Sequence, residues 1–191
     1  MTALTRTRTW MLCLSLMLPV SALQAQTAAV ADIVRDIRAE KSATDRIAVM
    51  QVHKEALDRS TEGGERRYYR HEGRLKKVIE EDYGEQYRQY REYYIRRGQI
   101  YFAYTVHTLY NAPYYLTRES DPQGEFTEYF DPKKSVVTTQ RHYFDPQGRL
   151  VRHIDGTGRI MDGAAHLQEE AHRFNKELSF NPAASEYSRT K

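Results

Sequence analysis

The sequence predicts an α+β domain: a twisted antiparallel sheet of about six to eight strands, connected mainly as a meander and flanked by helices from both ends of the chain. Three observations predict it. Residues 28 to 59 contain neither Gly nor Pro and carry apolar residues at helical spacing. A unit of aromatic strand, turn glycine and aliphatic strand recurs through the middle, where fourteen of the fifteen tyrosines lie between Tyr68 and Tyr143, and tyrosine suits a pleated, half-buried surface. A second helical stripe follows the last of these units.

Arg6 and Arg8 precede an uncharged run from Trp10 to Val20, and Ser21-Ala22-Leu23-Gln24-Ala25 follows it. Basic residues, an apolar stretch and small residues in that order predict a secretory signal peptide over residues 1–25, cut after Ala25. Eleven apolar residues are too few to span a bilayer, which takes about 20, so no stable membrane anchor is expected after cleavage. Removing 25 of the 191 residues leaves 166, suited to one domain over 26–180 and a flexible tail over 181–191. Cys13, the only cysteine, leaves with the signal, so the mature chain has no disulfide and no cysteine nucleophile. The predicted location is periplasmic or secreted.

Val30, Ile33, Val34 and Ile37, then Ile47, Met50 and Leu57, predict two helices broken near residues 41–44, with Ser42 or Thr44 capping the second. The repeat follows. Around Gly73, Gly98 and Gly148 an Arg stands seven residues before the glycine, a Tyr five before, an aromatic four before, and Leu or Ile two after. The glycines are 25 and 50 residues apart, and Asp121-Pro122-Gln123-Gly124 forms a degenerate copy near the midpoint of the wider gap. Asp-Pro-Gln-Gly is turn chemistry, since Asp binds turn amides, Pro presets φ and Gly accepts the left-handed conformation.

Three-residue loops are therefore predicted, with Gly as the bulge residue, so that Tyr69 opposes Leu75, Tyr94 opposes Ile100 and Phe144 opposes Leu150 on the core face. In that register Phe102, Tyr104 and Val106 share the face of Tyr90 and Tyr94. The other face displays Tyr87, Gln89, Arg91, Tyr93, Tyr101, Thr105 and His107. Residues 129–132 open a further candidate hairpin with Lys134 at the glycine position. Asp162 is placed to cap a helix whose stripe is Leu167, Ala171, Phe174 and Leu178.

Ser60-Thr61-Glu62-Gly63-Gly64-Glu65, Tyr68-Tyr69, Tyr83-Gly84-Glu85, Glu92-Tyr93-Tyr94 with Gly98-Gln99-Ile100-Tyr101-Phe102, and Arg141-His142-Tyr143-Phe144 with Gly148-Arg149-Leu150 together resemble an uncharacterised family of secreted bacterial proteins. The resemblance covers roughly residues 45 to 155. It implies a signal-bearing envelope protein and carries over no catalytic residues.

Without residues 1–25 the chain holds 27 basic and 26 acidic residues, a balance that gives no support to nucleic-acid binding. His53, His71, His107, His142, His153, His166 and His172 form neither an i, i+4 histidine pair nor His-Glu-x-x-His, and His142 and His153 fall on opposite faces in the expected register, so no metal or cofactor is assigned. No serine-nucleophile elbow, P-loop or dinucleotide fingerprint is present. Tyrosine offers a rigid apolar face with a hydroxyl donor. The expected function is therefore non-enzymatic binding of an envelope protein or glycan through Tyr87, Arg91, Tyr93, Tyr101 and His107. The alternative is an envelope glycan or peptide hydrolase with Glu62 and Glu65 as acid and base.

Overall fold

In the computed structural model, residues 20–186 are described; residues 10–19 of the expected signal lie outside them. The α+β prediction holds. Eight antiparallel strands pair strictly in chain order: β1 (Gln51–Leu57), β2 (Gly64–His71), β3 (Arg74–Gly84), β4 (Tyr87–Arg96), β5 (Gln99–Leu109), β6 (Val136–Phe144), β7 (Leu150–Ile154) and β8 (Ile160–Met161). Helix α1 (Val20–Asp45) covers one face, while α2 (Ala164–Glu177) and the short α3 (Pro182–Glu186) follow the sheet. No helix among the described residues is long and apolar enough to cross a membrane.

Several local expectations are corrected. The second N-terminal helix is instead the edge strand β1, which pairs with β2 from Gln51↔Arg70 to Leu57↔Gly64; Val52, Ala56 and the β-branched setting of the pairing outweigh a sparse helical stripe. Thr44 caps no helix start. It is buried near the end of α1, where its hydroxyl lies 3.3 Å from the Tyr101 hydroxyl. Gly163 rather than Asp162 occupies the start of α2, because Asp162 is drawn into an ion pair with Arg152 at 2.7 Å. Part of the expected tail, 182–186, is helical, with the Asn181 side chain accepting from the amide of Ala183 at 3.0 Å. Residues 129–134 form no hairpin; Pro132–Lys134 make one 3-10 turn, whose first amide groups the Asp131 carboxylate accepts.

The three hairpins divide by their turn residues. Phe144 opposes Leu150 as predicted, since Pro146 restricts φ and the Asp145 carboxylate accepts from the amides of Gln147 and Arg149 at 2.9 Å. The first two lack proline. Their loops shrink to Glu72-Gly73 and Arg97-Gly98, with all four residues at positive φ, the arrangement of a tight two-residue hairpin. Leu75 therefore pairs with Arg70 rather than Tyr69, and Ile100 with Ile95 rather than Tyr94.

After each turn the register slips by one residue, at Lys76, Tyr101 and Val151, three positions beyond the glycine in every copy. Such a bulge reverses the alternation of faces. Tyr101 thereby joins the α1 face instead of the face of Tyr93, which corrects its expected position.

Both faces are core. On the α1 side, Tyr94, Tyr101, Phe102, Tyr143 and Ile154 pack against Val34 and Ile37, with Val30 and Ile33 at the margin. On the other side Tyr68, Leu75, Val78, Tyr93, Ile95, Ile100, Ala103, Phe144 and Leu150 lie beneath Leu167, Ala171, Phe174, Leu178 and Phe180. The predicted C-terminal stripe is thus the lid of this second core.

Candidate functional site

The α2 face is ordered in rows across the sheet. One row runs through all eight strands: His53, Tyr68, Val78, Tyr93, Ala103, His142, His153 and Met161 are successive cross-strand partners. Two residues along, the next row reads Glu55, Arg66, Glu80, Arg91, Thr105 and Gln140. The third reads Leu57, Gly64, Asp82, Gln89, His107 and Thr138. An apolar row therefore borders an alternating charged row, which gives way to neutral polar side chains at β5 and β6.

The charged end is closed. Glu80 has no solvent exposure and accepts from Arg66 Nε at 2.6 Å, Arg59 Nη2 at 2.7 Å and Ser179 Oγ at 2.9 Å. Arg59 also grips Asp82, with contacts of 2.8 and 2.9 Å. Burial raises the Glu80 carboxyl, but the hydrogen bond and charge of Arg59 and those of Arg66 outweigh it and hold it below its ordinary value. A buried carboxylate so surrounded ties β2 and β3 to the segment after α2.

The neutral end is open. Gln89, Arg91, Tyr93, Thr105, His107, Thr138, Gln140 and His142 floor a cleft of about 260 Å³, and Glu170, Arg173, Phe174 and Glu177 of α2 form its wall. Arg91 reaches Glu177 at 3.2 Å. Tyr87 stacks on His107 with centroids 5.9 Å apart and planes inclined by 22°.

Of the five expected binding residues, Arg91, Tyr93 and His107 line this cleft and Tyr87 adjoins it through His107. Tyr93 is 3% exposed, wedged against Phe174 and Phe180, so it presents only its edge. Tyr101 lies on the far side of the sheet.

Glu62 and Glu65 do not line the cleft. Glu62 is exposed and accepts from the Tyr114 hydroxyl at 3.2 Å, while Glu65 is held by Lys54 at 3.2 Å and Arg67 at 3.3 Å. The carboxylates thus have separate partners and share no concave pocket. Gly63 adopts φ +71° and Gly64 begins β2, so the Gly-Gly pair serves the entry into the strand.

At the deep end of the cleft stands a cluster that the sequence reading dispersed. His142 and His153 are direct cross-strand partners on one face, with stacked rings whose centroids are 4.6 Å apart. The expected opposite placement fails because the bulge at Val151 shifts the pairing by one residue. Glu170 projects down from α2, and its Oε1 lies 2.7 Å from His142 Nε2 and 3.9 Å from His153 Nε2. Its other oxygen accepts from Arg173. His166, one helical turn before Glu170, places Nε2 2.9 Å from His153 Nδ1.

All three of His142, His153 and Glu170 are buried. Burial, then the neighbouring His142 charge, lowers His153 to about 4, so it is neutral at pH 7. Burial raises the Glu170 carboxyl, but the His142 hydrogen bond and the surrounding positive charges outweigh it and bring it to about 2. His142 Nδ1 and His153 Nε2 have no hydrogen-bond partner among the described residues.

Comparisons with protein-family models, curated proteins and solved structures find no match to this chain.

Proposed function

We propose that this is a non-enzymatic envelope protein that binds a glycan in the cleft between α2 and strands β4–β6. The observation that carries the reading is the change along the sheet rows from a closed charged network to an open group of amides, hydroxyls and one stacked aromatic pair. Gln89 and Gln140 each offer a donor and an acceptor, as do the hydroxyls of Thr105 and Thr138. These groups match sugar hydroxyls, which also donate and accept. The His107–Tyr87 stack supplies a flat apolar surface for the C–H face of a sugar ring. Arg91, already engaged by Glu177, contributes directed N–H groups rather than a free charge.

The envelope setting rests on the N-terminal tripartite pattern. The cleft supports a small glycan segment better than a protein partner: its volume is about 260 Å³, whereas a stable protein interface takes on the order of 800 Å² per partner.

The test is titration of the labelled protein with an N-acetylglucosamine oligosaccharide, followed by amide NMR. Shifts should cluster at Gln89, Thr105, His107 and Gln140. Gln140→Ala should weaken binding about tenfold, the effect of losing roughly 1.4 kcal/mol of contact, with little change in melting temperature. Absence of saturable shifts in the cleft, or full affinity in Gln140→Ala, would sink the reading.

A further inference from the structure

The geometry points to a binding site for a divalent transition-metal ion of the zinc class, formed by His142, His153 and Glu170 at the deep end of the cleft. This goes beyond the glycan reading and does not depend on it. One donor atom from each of the three residues lies within 4.8 Å of the others. Two imidazoles and one carboxylate are a donor set that suits zinc and its neighbours, whereas magnesium and calcium prefer oxygen ligands alone.

The unpartnered atom decides between a metal site and an ordinary buried salt bridge. His153 is 2% exposed, and its Nδ1 is occupied by His166 at 2.9 Å. If His153 donates from Nδ1 to His166, its Nε2 presents a lone pair toward the Glu170 carboxylate, 3.9 Å away. A lone pair facing an anionic oxygen is unfavourable by itself. A cation between the two converts that repulsion into two coordination bonds, and the His166 bond then orients the ligand ring as outer partners of metal-bound histidines do.

Glu170 is prepared in the same way, because Arg173 holds Oε2 and leaves Oε1 directed at both histidines. On a tetrahedral ion with bonds of ~2.0–2.1 Å, donor atoms stand about 3.3 Å apart. His142 Nε2 and Glu170 Oε1, now 2.7 Å apart, would separate by about half an ångström as the ion replaces the proton between them. His153 Nε2 would approach Glu170 by a similar distance. His142 and Glu170 also line the cleft, so the remaining coordination position faces its interior, open to water or to an oxygen of a bound ligand.

Untagged protein, stripped with chelator and titrated with zinc ions in a calorimeter, should bind one ion per chain with a dissociation constant in the micromolar range or tighter. The cobalt(II) form should show the intense visible bands of a four-coordinate N/O site. Glu170→Gln, which keeps the size of the side chain and a carbonyl acceptor for His142, and His153→Asn should each weaken binding at least tenfold. His172→Ala, an exposed histidine on the same helix, should bind as the wild type does. If His153→Asn fails to fold, Glu170→Gln and the wild-type cobalt spectrum carry the test. No stoichiometric binding at about 100 μM zinc, an octahedral cobalt spectrum, or undiminished binding in Glu170→Gln would overturn the site.

Discussion

Tyr93→Ala separates a buried aromatic from an open binding platform. Tyr93 was expected on a displayed face, yet its ring is 3% exposed and meets Phe180 and Phe174 with centroid separations of 5.1 and 6.1 Å. Truncating a buried aromatic costs about 3–5 kcal/mol, the upper part of that range applying where neighbours cannot collapse into the void. Phe174 is anchored by its contacts with His142 and Phe144, which restrict such relaxation. A cost near 4 kcal/mol lowers the melting temperature of a domain this size by about 8–16 °C. The phenol contributes little, because its oxygen is 3.4 Å from Glu80, so Tyr93→Phe should lie within about 1 kcal/mol of wild type. Urea unfolding with a thermal melt measures both variants. If Tyr93→Ala stayed within about 0.5 kcal/mol of wild type, as a surface substitution does, the packing of α2 on this sheet would be refuted.

Two further outcomes follow from the same face. The Glu80 carboxyl is held below its ordinary value, so its contribution to stability is complete above the unfolded value and is lost as pH falls through the folded one. Glu80→Gln should cost about 3 kcal/mol at pH 7, since Arg66 and Arg59 lose a buried counter-charge. It should also flatten the decline in urea midpoint between neutral pH and pH 4; an equal acid slope in both proteins would contradict the assignment. Gly64→Ala should destabilise severely, because the added Cβ would stand 2.3 Å from the Glu81 carbonyl oxygen. Gly73→Ala meets no atom within 4 Å and should cost only the roughly 1–2 kcal/mol of a left-handed alanine. Similar melting temperatures for the two alanine variants would contradict the close β2–β3 approach.

The meander was legible because its evidence is local and repeated: a turn glycine, an aromatic before it and an aliphatic after it recur wherever a hairpin forms. The C-terminal stripe was legible for the same reason, as Leu167, Ala171 and Phe174 need only helical geometry to share a face. Strand β1 was not. Its residues lie at an exposed edge, so burial imposes no alternating pattern, and the pairing with β2 decides its conformation. The turn at Asp121–Gly124 shows the converse limit. Its hydrogen bond from Gly124 to Asp121 forms as the motif predicts, but the flanking residues pair with no strand among those described.

The site was hidden by one residue of register. Tyr101 and the His142–His153 pair were misplaced by the same omission, a bulge three positions after the turn glycine, and each bulge exchanges the faces for everything beyond it. Once that slip is included, His142 and His153 meet, and the helical spacing of His166 and Glu170 brings two more polar groups onto them. The signal was in the sequence as two incomplete halves: a pair of histidines flanking Gly148, and a His-x-x-x-Glu spacing on the only long C-terminal helix among the described residues. A search confined to histidine pairs along one element could not join them, because the sheet register is what converts 142 and 153 into neighbours. The bulge that moves Tyr101 away from the expected binding face therefore has a counterpart at Val151, and that counterpart assembles the buried cluster at the end of the cleft.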